Sequence, residues 1–339
     1  MAEFVAGFGS SHSVMLVCEL EDWQRGFRTF DPKGTFFDRK GNVVTYDQLL
    51  KLAPPNAPEL VTDEAIAKRF HSVQAAIEKM RVAVQAANLD VMIICGDDQN
   101  ELFSKNMQPA IGIFHGKTVR NPVKKQLPPD AWYKIAQNKR FEDGAPVDYP
   151  VHTKLAEHLI TGLCNKGFDI ASLGGMRDDQ HIGHAYSYIH RFYIQNKTFP
   201  IVPIFLNTYF PPNQPTPQRC IDLGKAIGAL VKTWPENLRV GFMASGGLSH
   251  FQAEEDLDDA VIEAMRKMDL DFLGNLDVKR LQAGSSEIRN WLVLAGACPD
   301  FEMDWVSYNP GYRTEALTGT GLGFATFYPK GSSMANAAE

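Results

Sequence analysis

The chain has 339 residues, 44% of them apolar, with 34 Lys and Arg against 40 Asp and Glu. This is enough apolar material for one large core or two ordinary ones, and the formal net charge of −6 lacks the basic excess of a nucleic-acid binder. Aromatic residues at 11% exclude a disordered or fibrous chain, and no apolar run approaches the ~20 residues of a membrane helix.

Taken in chain order, Glu3–Phe8 predicts a strand running into the polar loop Ser10-Ser11-His12-Ser13. Residues 22–60, rich in Pro, Gly and charge, predict an irregular excursion. Thr62 and Asp63 cap a predicted amphipathic helix to about Asn88, apolar at Ile66, Phe70, Val73, Ile77, Met80 and Val84. Asp90–Cys95 is a buried-strand pattern with the polar stretch Asp97-Asp98-Gln99 straight after it. A second excursion, 117–150, precedes a helix over Val151–Lys166, a strand over Asp169–Leu173 and a histidine-rich loop, Asp178–His190. A strand at Ile201–Asn207, a helix from about Gln218 to Trp234 and a strand at Arg239–Ala244 follow. The last strand runs into Ser245-Gly246-Gly247-Leu248-Ser249-His250, and helices are predicted at about Asp256–Lys267 and Ser286–Ala297. The small, polar tail 332–339 is expected to be disordered. The alternation predicts an α/β fold, with one large domain over 1–331 and a mixed central sheet covered by helices on both faces. In such folds ligands sit outside the carboxyl ends of the strands, so His12, Asp98-Gln99 and His250 should meet at one rim. Gly319-Thr320-Gly321-Leu322-Gly323 lacks the strand–helix context of a dinucleotide loop, and no GxSxG elbow is present.

Histidine carries most of the chemistry. His12 suits a metal ligand or base, or equally a loop ring bonded to the adjacent hydroxyls. His250 follows a glycine pair and suits proton transfer, or else caps the next helix. His181 and His184, at i and i+3, fit either a metal pair or a polar loop. Glu287 in a first helical turn is explained by the helix dipole, or offers a carboxylate to a metal. Five scattered cysteines without a CxxC pair, and no basic, apolar leader in Met1–Ser10, lead to the expectation of reduced thiols and a cytoplasmic location.

Gly7-Phe8-Gly9-Ser10-Ser11-His12-Ser13, Gly183-His184-Ala185-Tyr186, the run from Ile201 to Thr208, Ser245-Gly246-Gly247-Leu248-Ser249-His250 and Ser286-Glu287-Ile288-Arg289-Asn290-Trp291 occur in this order. Together they resemble the class III extradiol ring-cleavage dioxygenases, the family of the protocatechuate 4,5-dioxygenase catalytic subunit, over about residues 4 to 327. The likeness is greatest to the single-chain branch containing 3-O-methylgallate dioxygenase. The resemblance implies a non-heme Fe(II) cofactor, with His12 and Glu287 as ligands and His184 and His250 as catalytic histidines. His181 and Arg289 are further candidates for substrate contact. The implied reaction opens a catechol-type ring (gallate, methylgallate or protocatechuate-like) with O2. The implied partners are a small aromatic diol or triol and O2, in a homodimer, with no nucleic acid and no membrane. One position departs from the pattern: the family's second histidine ligand falls on Gln99, so Gln99 is the third expected metal ligand, with Asp98 or Glu101 as substitutes. The departure leaves open a different metal-assisted reaction such as hydrolysis, or a non-catalytic aromatic-binding homologue.

Overall fold

The computed structural model describes residues 1–332; apart from Ser332, the predicted disordered tail lies outside the described residues. A nine-stranded sheet organises the chain. Its strands are β1 (Glu3–Ser10), β2 (Val91–Gly96), β3 (Ile111–Phe114), β4 (Ala171–Leu173), β5 (Ile201–Leu206), β6 (Arg239–Ser245), β7 (His250–Gln252), β8 (Phe301–Tyr312) and β9 (Thr318–Pro329). They lie in the order β7-β9-β1-β6-β2-β5-β3-β4, with β8 paired to the outer side of β9. The central strands β1, β6, β2 and β5 are mutually parallel, whereas β9 and β3 run antiparallel to their central neighbours, which makes the sheet mixed. The parallel strands end nearly level: Ser10 pairs with Ser245, Ala244 with Cys95, and Gly96 with Phe205.

Successive side chains of a strand point to opposite faces, and β2 shows how this builds the core. Val91, Ile93 and Cys95 enter one buried cluster while Met92 and Ile94 enter the other. The first cluster is covered by α2 (Thr153–Asn165), α4 (Pro217–Lys232), α5 (Glu255–Lys267) and α6 (Ile288–Ala297), the second by α1 (Asp63–Ala86) and α3 (His184–Ile189). Thr62 caps α1 through the Ala65 N–H, and Ile66, Val73, Met80 and Val84 form its buried stripe. Helices α4 and α6 cross closely because Gly224 and Gly296 face each other. A Cβ on Gly224 would overlap the Val293 carbonyl, and one on Gly296 the Ile221 carbonyl.

Several elements differ from the sequence expectations. The histidine-rich stretch is not all loop: Gly183 caps α3, whose Ala185, Tyr186 and Ile189 are buried. The glycine-rich run 319–323 lies inside β9, where bare backbone lets β8 approach and where a Cβ on Gly321 would overlap the Asp258 carboxylate. Strand β3 is only four residues long and was not anticipated. The excursion over 22–60 folds as short turns and helices with a hairpin, Thr35–Phe37 against Val43–Thr45, over a small cluster of its own. The second excursion holds the hairpin Thr118–Asn121 with Val147–Pro150 and a helix, Trp132–Asn138.

Asp258 ties α5 to β8 and to the loop before His250. Its carboxylate accepts from the Ser249 N–H, at 2.9 Å, and from the Ser249 and Tyr308 hydroxyls, both at 2.7 Å. Burial pushes the Asp258 carboxyl up to about 7 against these three donors. A carboxyl raised in the folded state gives its full contribution below the unfolded value near 4, and that contribution is lost as pH rises through about 7. The stability difference between wild type and Asp258→Asn, from urea unfolding, should therefore shift against wild type between pH 4 and pH 8, by on the order of 4 kcal/mol. A pH-independent difference would refute this.

Candidate active site

The candidate residues lie at the carboxyl ends of the parallel strands, where an open α/β sheet places its ligands. His12 follows β1, Asp97 and Gln99 follow β2, and Gly246 to His250 follow β6. Glu287 enters from the turn into α6. Its side chain makes no capping bond to its own helix; it reaches across to accept the Gly247 N–H at 2.8 Å, so capping does not explain it.

Each of the three histidines has its Nδ1 engaged. The Ser245 hydroxyl donates to the Ala185 carbonyl at 2.6 Å, so it accepts from His12 Nδ1–H at 3.0 Å. His250 Nδ1–H donates to the Leu248 carbonyl at 2.9 Å, and His184 Nδ1–H to Glu101 at 2.7 Å. All three Nε2 atoms then turn inward. His12 Nε2 stands 3.1 Å from Glu287, 3.4 Å from Asp97 and 3.1 Å from His184 Nε2, and His250 Nε2 stands 3.3 Å from Glu287. A nitrogen lone pair facing a carboxylate or a second lone pair needs a proton or a cation between them.

The charges agree with that requirement. Burial pulls the Glu287 carboxyl up, but His12 and His250 outweigh it and hold it well below the usual carboxylate range. Burial and the Glu287 charge push Asp97 up. Burial lowers His250, yet Glu287 raises it overall, and Glu101 likewise lifts His184 to about 9 against its burial. One oxygen of Asp97, Oδ1, is buried without a hydrogen-bond partner. His12, Asp97 and His184 present ligand atoms that all lie within 4.8 Å of one another. Imidazole Nε2 atoms with carboxylate oxygens, one of them unpaired, fit a divalent transition metal.

Of the positions after β2, Gln99 places its amide nitrogen 3.2 Å from Asp97 and 3.3 Å from Glu287, bridging the two acids as a donor. Asp98 turns away and accepts the N–H groups of Glu101, Leu102 and Phe103, closing its own loop. Glu101 binds His184 and Arg140. Asp97 itself was not anticipated. Adjacent residues at a strand end face opposite sides, so only one of Asp97 and Asp98 can face the histidines, and the sequence does not say which. Arg289 is buried, donating to the carbonyls of Pro215, Leu281 and Ser286, and does not line the cavity beside the site. His181 bonds the Ile182 carbonyl and packs edge-on to Phe141, also outside that cavity.

Above the cluster opens a cavity of about 580 Å³, reached by His12, Gln99, His184, His250 and Glu287. Both excursions supply its walls, the first through Phe27, Phe30 and Phe36, the second through Tyr133, Gln137 and Arg140. Residues 125–324 match the model of the family described as the catalytic LigB subunit of aromatic ring-opening dioxygenase. The chain belongs to this family. The matched span contains His184, His250 and Glu287, while His12 and Asp97 precede it. Among curated proteins of similar sequence, a 2,3-dihydroxyphenylpropionate/2,3-dihydroxicinnamic acid 1,2-dioxygenase from Comamonas testosteroni is 25% identical over 210 residues, which is 62% of this chain and 58% of that protein. A gallate dioxygenase from Pseudomonas putida is 30% identical over 115 residues, 32% of each chain. The matches thus span 58% and 32% of the lengths of these two relatives. No helix of the described residues is long and apolar enough to cross a membrane.

Proposed function

We propose that the protein opens the ring of a catechol-type aromatic with O2, using Fe(II) held by His12, Glu287 and Asp97. The observation that carries this reading is the convergence of three Nε2 atoms and two buried carboxylates under an aromatic-walled cavity. Iron held by these residues would supply Lewis acidity toward the substrate oxygens and redox chemistry toward O2. Gln99 orients the two carboxylates from its bridging position. His250, its Nδ1–H fixed on the Leu248 carbonyl, offers Nε2 to a substrate hydroxyl proton. His184, held by Glu101, keeps a proton to return as the ring opens. The aromatic side chains of the excursions hold the ring and exclude water.

The test is iron content after anaerobic purification, together with oxygen uptake on gallate, 3-O-methylgallate and protocatechuate. One iron per chain with oxygen uptake is expected. Tightly bound zinc without oxygen uptake would overturn the reading and favour a hydrolytic one. A metal-free protein that still binds aromatics would favour a binding role.

The ligand set has its own prediction. Asp97→Asn should weaken iron binding about 10- to 100-fold, because it removes a buried charge beside His12. Gln99→His should not weaken it, since an imidazole N–H can keep the bridging contact to the two acids and its other nitrogen offers a better ligand than an amide. Chelator competition measures both, and an Asp97→Asn protein with unchanged iron affinity would remove Asp97 from the set.

A further inference from the structure

The ligand set His12, Asp97 and Glu287 contains a single imidazole, because Gln99 turns its amide N–H groups to the two acids and brings no second nitrogen. A second imidazole nevertheless stands beside the first. His184 Nε2 lies 3.1 Å from His12 Nε2, and the two rings cross edge to face at 78° with centres 4.4 Å apart. Two donors held ~2.1 Å from one ion, at right angles to each other, lie about 3.0 Å apart. The two nitrogens are therefore spaced as neighbouring ligands of one ion, and the 3.1 Å between His12 and Glu287 is the same spacing. His184, His12 and Asp97 also form the set whose ligand atoms all lie within 4.8 Å of one another.

The far side of the His184 ring agrees with this placement. His184 gives Nδ1–H to the Glu101 carboxylate at 2.7 Å, and Glu101 also accepts the His184 backbone N–H. A carboxylate behind an imidazole is the support that metal-binding histidines ordinarily carry, since it fixes the tautomer and makes Nε2 a better donor. The two histidines differ in their freedom. The His12 side chain is 3% exposed and meets both Asp97 and Glu287, whereas that of His184 is 20% exposed and lines the cavity. His184 thus has open space into which its ring can turn while Glu101 keeps hold of Nδ1.

We infer that His184 is a fourth ligand of the metal in the substrate-free protein, and that the substrate displaces it. The identity of the displacing molecule, a catechol, rests on the ring-opening reading above; the ligand itself rests on the geometry of the two histidines. A filled position denies O2 its place until the substrate has taken hold. The nitrogen so released takes the proton of one substrate hydroxyl while His250 takes that of the other. It is this proton that His184 returns as the ring opens.

The protein loaded with Co(II) under anaerobic conditions gives a test that needs no turnover. An imidazole bound to Co(II) shows a strongly shifted, exchangeable N–H proton signal in the NMR spectrum. Wild type should show two such signals, from His12 and His184, and only one after addition of 3,4-dihydroxybenzoate. His184→Asn keeps an N–H for Glu101 and removes Nε2. It should show one signal without any addition, and should weaken Co(II) binding in chelator competition by at least about 10-fold. A wild type with one shifted signal, as a proton shared between the two nitrogens would give, overturns the assignment. So does a His184→Asn protein with unchanged signals and Co(II) affinity. A second signal that persists once the catechol is bound overturns the displacement. The wild-type count decides the matter if His184→Asn does not fold. Should no catechol bind or support oxygen uptake, the ring-opening reading and the displacement fall together, while two signals in the resting protein keep His184 as a ligand. One signal with oxygen uptake intact removes His184 alone.

Discussion

Glu287→Gln is expected to strip the protein of iron and to lower oxygen uptake by about 10³-fold or more, a larger loss than removal of an outer-sphere partner gives. The reason is the number of groups that depend on this one carboxylate. Glu287 meets His12 Nε2 at 3.1 Å, His250 Nε2 and the Gln99 amide at 3.3 Å each, and the Gly247 N–H at 2.8 Å. An amide keeps the shape and loses the charge, and its NH2 has to oppose at least one of those donors. His250 then loses the anion that raises it, and Asp97 loses the like charge that pushes it up. The two acids would therefore shift in a coupled way, so Glu287→Gln and Asp97→Asn should be markedly non-additive in chelator competition. Iron content by metal analysis, with circular dichroism to confirm the fold, gives the answer. A folded Glu287→Gln protein that keeps stoichiometric iron and its turnover would refute both the ligand role and the proposed reaction.

The second large effect is expected at Glu101, which touches none of His12, Asp97 and Glu287. Its carboxylate accepts both the His184 N–H, at 3.0 Å, and Nδ1–H, and it is paired with Arg140. Gly183 makes this possible, because a Cβ there would crowd the Glu101 carboxylate at 2.7 Å. Glu101→Gln should lower kcat about 10²- to 10³-fold while iron content is retained, the range for a misplaced general acid. It should also move the alkaline limb of the kcat–pH profile to lower pH. Glu101 lifts His184 to about 9 against burial, so without it the ring loses its proton earlier as pH rises. A merely structural role would lower kcat without moving that limb, and this outcome would remove Glu101 from the proton path.

Much of the architecture can be read from sequence because its central strands and long helices are periodic. The Thr62 cap and the apolar stripe of α1 appear within two residues of their predicted places. β8 and β9 escape such reading for a physical reason: β8 is a half-exposed edge strand without clean alternation, and β9 carries glycines that ordinarily signal loops. The same distinction holds at the site. His12, His184, His250 and Glu287 stand in compact local motifs, and the structure brings all four to one rim. Asp97 is hidden by its neighbour Asp98, since the chain alone does not say which of two adjacent acids faces inward. Arg313 and Asp31 pair in the cavity wall across 282 positions, which leaves no local trace.

The level ending of the parallel strands, with the cavity walls drawn from residues outside them, has an evolutionary consequence. The reacting groups sit on the rim of the sheet, whereas Phe27, Phe30, Phe36 and Tyr133 belong to connecting segments outside it, the part of a fold that varies most readily in general. Selection, or an engineer, can therefore re-cut the lock without disturbing the bolt. Grafting a different 22–60 segment onto this chain should yield a new substrate preference on an unchanged chemical centre.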